Sequence, residues 1–194
     1  MFFFYFTLNP KNFLISLKLP KLLFAFLLVC NSLVYAQNIT IADDGDTGTS
    51  GNNWSISGGV LTAFGDSNVH PQVLENALNN SDVRIYISSG NIVIASDIIY
   101  TGNNYLTVDS GGDIYIRANV QAGGISLIAK ESVRIDNGEI ALTSNDANSN
   151  LGQVVISSDY DGNATGSNIF TNALTITTNG GGVFIGGGNT SGTA

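Results

Sequence analysis

The chain carries few side chains that do chemistry. It has one histidine, His70, and one cysteine, Cys30. That inventory leaves no multi-histidine zinc site and, once Cys30 is assigned to a leader segment, no Cys/His nucleophile pair. A serine–histidine arrangement is arithmetically open. His70 directly precedes Pro71 at a helix start, however, and a capping or surface role is the plainer reading. Carboxylates are the remaining candidates, and two clusters stand out: Asp43-Asp44-Gly45-Asp46 and Asp159-Tyr160-Asp161-Gly162-Asn163. Hard oxygen ligands at alternate positions around a glycine turn are the elements of a calcium loop, which makes Asp159, Asp161 and Asn163 candidate calcium ligands. Neither cluster has the full loop spacing with a terminal glutamate, so a solvated turn competes with the metal site. No other cofactor is expected.

Paired carboxylates also serve as acid and base in polysaccharide cleavage. The acidic residues that recur one repeat away from an arginine are Asp113 with Arg134, 21 residues apart, and Asp97 with Arg117, 20 apart. Ion pairs between neighbouring strands explain both without catalysis. Thr175-x-Thr177 has the form of an ice-binding motif but lacks a counterpart at Gln153 to Ser157, about 20 residues earlier. Tyr86, Tyr100, Tyr105, Tyr115 and Tyr160 offer stacking platforms for sugars, or strand packing.

These residues sit in a strongly periodic sequence. From Val83 onward, pairs of apolar residues two apart alternate with turn formers: Ile85/Ile87, Ile92/Ile94, Leu106/Val108, Ile114/Ile116, Ile125/Leu127, and onward to Val183/Ile185. Period 2 predicts short, half-buried strands. A longer period overlies it. Ile92, Ile114, Val133, Val154 and Leu174 are separated by 22, 19, 21 and 20 residues; Ile98, Val120 and Ile140 by 22 and 20; Ile85, Leu106 and Ile125 by 21 and 19. Three interleaved series with one common step predict an all-β fold, a parallel β-helix (solenoid) of about five coils over residues 83–194. The register blurs after Leu142, where Asn145 to Asn150 and Asp159 to Asn168 read as polar insertions at corners. Gly111-Gly112, Gly123-Gly124, Asn137-Gly138 and Gly180-Gly181-Gly182 are placed for corners that need positive φ. An antiparallel β-sandwich is the competing architecture.

Residues 37–82 are expected to form an N-terminal cap, with strands at Ile39 to Ala42 and Val60 to Phe64 and with Trp54-Ser55-Ile56 between them. A helix over Pro71 to Asn79 comes next, its Val73, Leu74, Ala77 and Leu78 on one face. Such a helix would cover the open end of the stack. The other end, Val183-Phe184-Ile185, has no such cover, so either the native product is expected to continue or the reading frame is truncated, and the isolated product is expected to self-associate there.

Residues 1–36 read as a signal peptide. Lys11, Lys18 and Lys21 precede the apolar run Leu22 to Cys30, and Val34-Tyr35-Ala36 fits a cleavage site before Gln37. An uncleaved anchor over Phe13 to Tyr35, interrupted by Lys18, Pro20 and Lys21, and lipid attachment at Cys30 are the alternatives. Removal of the leader leaves four cations, Arg84, Arg117, Lys130 and Arg134, against 15 carboxylates. A chain so acidic cannot neutralise a row of phosphates, which excludes nucleic acid as a partner and disfavours anionic membranes. No stable membrane insertion is expected after cleavage. The mature chain lacks cysteine, so disulfides contribute nothing despite export.

The run Tyr105-Leu106-Thr107-Val108, Gly111-Gly112-Asp113-Ile114-Tyr115-Ile116, Val120, Gly123-Gly124-Ile125-Ser126-Leu127 and Val133-Arg134-Ile135 resembles the repeat body of filamentous-haemagglutinin-type adhesins. The approach to it, His70-Pro71-Gln72-Val73-Leu74-Glu75 through Val83-Arg84-Ile85 and Asn91-Ile92-Val93-Ile94, is similar to the approach to such repeats. The likeness covers roughly residues 52 to 185. It implies a secreted or outer-surface bacterial protein that attaches to host or bacterial cell-surface molecules or glycans, and it supplies no catalytic residues. The Asn-Pro-Asn-Gly type motif of two-partner secretion is absent, so that export route is not implied. The alternative function is a polysaccharide-binding or polysaccharide-cleaving β-helix protein, a lyase or glycosidase.

Overall fold

The structure is a computed structural model that describes residues 37–51, 53–135, 138–148, 151–163, 165–170 and 173–187. The expected signal peptide, Asn137 and the tail from residue 188 lie outside the described residues. All the described residues belong to one compact unit, Ala36–Ala194.

Local sequence makes strands wherever alternation is clean. In β8 (Tyr105–Ser110), Leu106, Val108 and Ser110 are buried while Tyr105, Thr107 and Asp109 are half-exposed, the signature of a strand with one face on a core. The same inward rule holds in β5 (Val83–Ile87), β6 (Ile92–Ile94), β9 (Ile114–Ile116), β12 (Val133–Ile135) and β14 (Val154–Ser158). The protein is all-β with parallel sheets and, among the described residues, one helix.

Three sheets form. The six-stranded sheet joins Asn168–Phe170 (β15), β12, β9, β6, Ile39–Asp46 (β1) and Ser67–Val69 (β4) in that order. A four-stranded sheet joins Leu174–Thr178 (β16), Ile140–Ser144 (β13), Val120–Ala122 (β10) and Ile98–Ile99 (β7). The seven-stranded sheet joins Val183–Gly187 (β17), β14, Gly124–Ala129 (β11), β8, β5, Val60–Ala63 (β3) and Trp54–Ser57 (β2). From β8 onward, each strand pairs with the strand three places earlier. Successive strands therefore belong to different sheets, and the chain returns to each sheet at every third strand. Among the described ladders, only β2–β3 is antiparallel, accompanied by a single Ser50–Ser55 bridge. An antiparallel sandwich is excluded by that pairing. The buried residues form one continuous cluster fed by all three sheets, from Ile39 to Ile156.

Register corrects part of the sequence reading. Ile92, Ile114 and Val133 share one row, but Val133 then pairs with Asn168, 35 residues on. Val154 belongs instead to the seven-stranded sheet, between Ile125 and Val183, and Leu174 pairs with Ile140. The polar segments 145–153 and 159–167 account for this: the strands keep their order among the three sheets, but the added length means that a step of about 20 residues no longer returns the chain to the same sheet. Two other rows are displaced by two residues: Val120 pairs with Leu142 rather than Ile140, and Ile85 with Val108 rather than Leu106. A shift of two preserves the face a side chain points to, so inward residues stay inward.

The first rows are covered. Helix α1 (Pro71–Leu78) ends within one residue of the expected position and buries Pro71, Val73, Leu74 and Leu78. It packs against the open side of β7, where Glu75 Oε1 accepts from the Ile99 N–H at 2.8 Å. Sequence reading missed β4, which lies beside β1, and ended β1 at Ala42 rather than Asp46. Hairpin β2–β3 closes the third sheet, with Trp54 buried under it.

The paired glycines act differently from expectation. Gly111, Gly112, Gly123 and Gly124 do not take positive φ, whereas Gly138 and Gly180 do. A Cβ on Gly112 would meet the Gly90 carbonyl oxygen at 2.5 Å, so that glycine is required by close approach of the preceding row rather than by a turn angle.

Candidate functional site

A line of side-chain oxygens runs along the six-stranded sheet at the residue just before each strand. Asp66 Oδ1 accepts from the Asn38 N–H at 3.0 Å, Asn38 Oδ1 from Asn91 N–H at 3.1 Å, and Asn91 Oδ1 from Asp113 N–H at 2.8 Å. Asp113 Oδ1 accepts from Ser132 N–H at 2.8 Å, and Ser132 Oγ from Ser167 N–H at 3.3 Å. Each strand thus starts with an acceptor for the backbone of the next row. These N–H groups lie where strands have turned out of their ladder, and without a partner each would carry a desolvation cost. The other sheets repeat the device. Asp97 Oδ1 takes the Asn119 N–H and Asn119 Oδ1 the Ala141 N–H, while Asp82 Oδ1 takes the Tyr105 N–H. Sequence reasoning missed this line. Its signal was present as Asp, Asn or Ser immediately before the first apolar residue of a strand.

Asp113 is also the centre of a surface cluster. Its Oδ2 accepts from the Tyr115 hydroxyl at 2.9 Å and lies 3.6 Å from Arg134 Nε. The expected Asp113–Arg134 pair is therefore present on neighbouring strands. The guanidinium carbons of Arg117 and Arg134 lie 5.3 and 5.8 Å from the centre of the Tyr115 ring. Burial of the ring, and then the hydrogen bond to Asp113, raise the Tyr115 hydroxyl above its ordinary pKa. Tyr105 is raised chiefly by burial, partly offset by hydrogen bonding with the Gln153 backbone. Arg84 pairs with Asp109 and lies 4.7 Å from the Tyr86 ring centre. Tyrosines 86 and 115 are thus held under cations of their own chain.

Asp97 and Arg117 both line an open groove of about 390 Å³, with Asp43, Ser96, Asn119 and Glu139. Asp97 uses both of its carboxylate oxygens on Asn119. The groove gathers three carboxylates, a guanidinium and an amide, which is hydrogen-bonding chemistry suited to hydroxyl-rich ligands.

The candidate calcium ligands are engaged locally. Asp161 accepts from Asn163 N–H and Nδ2 at 3.4 and 3.1 Å and lies 3.5 Å from Lys130 Nζ. Asn163 Oδ1 takes the Thr165 N–H at 2.8 Å and the Thr165 hydroxyl. Asp159 is buried, at φ 48°, and its carbonyl accepts from the Gly162 N–H. The segment is a folded polar turn. Among the described residues, no three His, Cys, Asp or Glu side chains are grouped to hold a metal ion. The other cluster, Asp43 to Asp46, is not a loop, because it lies in β1. Asp44 accepts there from Asn68 Nδ2 and Asp46 from Trp54 Nε1.

His70 caps α1, its Nδ1 accepting from the Gln72 N–H at 3.1 Å. Thr175 and Thr177 lie beside Ala141 and Thr143, not beside residues 153–157, so one Thr–Thr pair forms and no array. Asn145, expected in an exposed corner, is tied to three neighbours. Its Nδ2 donates to Tyr100 O at 2.7 Å, its Oδ1 accepts from Gln121 Nε2, and its carbonyl accepts from Asn179 Nδ2. No helix among the described residues is long and apolar enough to cross a membrane.

Comparison with known proteins finds no matching family model, no matching curated protein and no matching solved structure.

Proposed function

We propose that this chain is an exported parallel β-helix (solenoid) of about five coils with an N-terminal cap, serving structural display and attachment at a bacterial surface rather than catalysis. The observation that carries the reading is the pairing of each strand from β8 onward with the strand three places earlier, row on row. Such stacking gives a stiff body whose length grows with the number of rows and whose outer faces are free for contact. Several side-chain oxygens that chemistry could use hold the rows together instead, as those of Asp66, Asn91, Asp97 and Asp113 do. The acidic exterior keeps such bodies apart in solution and suits contact with cell-surface molecules or glycans better than with nucleic acid.

An immunoblot of source cells fractionated into periplasm, outer membrane and medium tests the location. Protein at the surface or in the medium, together with saturable binding of the purified chain to cells, supports attachment. A periplasmic pool with no cell binding refutes it.

A second reading is favoured by the groove at Asp97, Arg117 and Glu139: a β-helix protein that binds or cleaves polysaccharide. Incubation with acidic and neutral polysaccharides distinguishes the two. Release of unsaturated or reducing ends, abolished by Arg117→Ala, marks an enzyme; binding without product marks a glycan-binding surface.

A further inference from the structure

Among the described residues, one end of the stack has α1 against β7 and the β2–β3 hairpin with its Ser50–Ser55 bridge. At the other end, β15, β16 and β17 each have a single neighbour in their sheet and no described segment covers them. Val183 and Ile185 continue the inward rows of Val154 and Ile156. They are 46% and 50% exposed, while the residues they stack on are fully buried. The backbone is open as well. Gly182 O accepts from the Val154 N–H. By alternation along the strand, the N–H and C=O groups of Val183 and Ile185 point to the unpaired side. Asn168 donates through Nδ2 to Gly186 O at 2.8 Å, and its buried Oδ1 has no hydrogen-bond partner.

Charge identifies the occupant. No Asp, Glu, Lys, Arg or His comes after Asp161 in the sequence, whereas residues 37–161 hold all 15 carboxylates against four cations. Edge strands are ordinarily blunted by lysine, proline or an inward charge, and β15 to β17 have none of these. Two copies of this acidic chain repel one another over most of their surface, and the charge-free edge is where they approach without that cost.

We propose that this edge is the interface between two copies of the chain, with β17 of one copy pairing antiparallel along β17 of the other about a two-fold axis. A two-fold pairing uses the same edge on both copies, so no edge of that kind is left to add a third. The expected product is a closed dimer.

Sedimentation equilibrium of the purified full chain, from low to high micromolar concentration, tests this. All variants are compared at one N-terminus verified by mass spectrometry. The parent is expected to shift from monomer to dimer. Ile185→Pro removes an outward N–H that β14 does not use, a place where an edge strand tolerates proline. It should weaken dimerisation by roughly tenfold or more, and Ile185→Lys should do the same. Phe64→Lys, at an exposed phenylalanine between β3 and β4, should leave the dimer unchanged. Circular dichroism confirms that each variant is folded. A parent that stays monomeric, assemblies that grow beyond dimers, or a dimer indifferent to both Ile185 variants would each overturn the proposal.

Discussion

Asp113 offers the sharpest separation between a residue that holds rows together and one that merely decorates the surface. Three partners depend on its carboxylate: the Ser132 N–H at 2.8 Å, the Tyr115 hydroxyl at 2.9 Å and Arg134 Nε at 3.6 Å. Asp113→Ala strips the acceptor from a part-buried backbone N–H, at about 1–3 kcal/mol, and removes the tyrosine hydrogen bond, at about 1 kcal/mol. The ion pair adds little, about 0–1 kcal/mol, because the Arg134 side chain is 37% exposed. Allowing for overlap among these terms, the expected loss is about 2–4 kcal/mol. Asp113→Asn keeps an oxygen for Ser132 but puts an amide donor where Oδ2 accepts from Tyr115 and faces Arg134, so it should cost about 1–2 kcal/mol. Equilibrium urea unfolding followed by circular dichroism reads both, with Trp54 fluorescence as a separate probe of the hairpin end. Equal losses for the alanine and asparagine variants would refute the acceptor role toward Ser132 and assign the effect to the Oδ2 contacts with Tyr115 and Arg134. A negligible loss for alanine would refute any role for the line of oxygens in stability.

Tyr115→Phe should lower stability by about 1 kcal/mol at neutral pH through its lost hydrogen bond to Asp113. Because the folded-state pKa of Tyr115 is raised above its ordinary value near 10, its contribution is fully present below about pH 10 and is lost as the pH rises through the folded-state value. The gap between parent and variant should therefore narrow in alkali, which urea midpoints with parallel phenolate absorbance will show; a gap that widens contradicts the raised value. Ile114 is fully buried between Ile92 and Val133, and Ile114→Ala should cost about 2–5 kcal/mol in the same unfolding assay. Gly112→Ala places a methyl 2.5 Å from the Gly90 carbonyl and should cost about 1–3 kcal/mol, whereas Gly58→Ala meets nothing within 4 Å and is strained only by its φ of 56°. Loss at Gly58 but not at Gly112 would mean that backbone angle, and not row spacing, selects these glycines.

The strands and the direction of their side chains were legible because alternation is a local property. Leu106 and Val108 point inward for the same reason whichever row they join. The common step was legible only while connections stayed short, from Ile92 through Val133. Beyond Leu142 the intervals to the next partner, such as Val133 to Asn168, depend on how polar segments loop out, and spacing carries no record of that. The candidate site was less legible still. Asp113 was read for its arginine partner, which is present, but its hydrogen bond to the Ser132 backbone joins residues 19 apart, and its one local mark is a polar residue immediately before the strand. At Asp159 to Asn163, alternate oxygens around a glycine have the same spacing with or without a cation, and Asp161 and Asn163 accept here from the N–H groups two residues on.

The acidic, asparagine-rich composition acquires a structural meaning from the same line of oxygens. A stack of short strands leaves backbone N–H groups at every corner, where the chain has left one sheet and not yet joined the next. Water can serve those at the surface, but part-buried ones need a fixed acceptor that is short enough to reach one row and no further. Asp, Asn and Ser are the side chains with that reach, and they occupy positions 66, 38, 91, 113 and 132 in turn. An acceptor and not a charge is what each corner requires, since Asn and Ser alternate with Asp along one line. Much of the negative charge is therefore incidental to stability and available to solubility. Replacing Asp66 by Asn should accordingly leave folding intact while making the exterior less acidic. Surplus carboxylates of this kind would be the expected cost of a row-to-row fastening built from the few side chains of the right length.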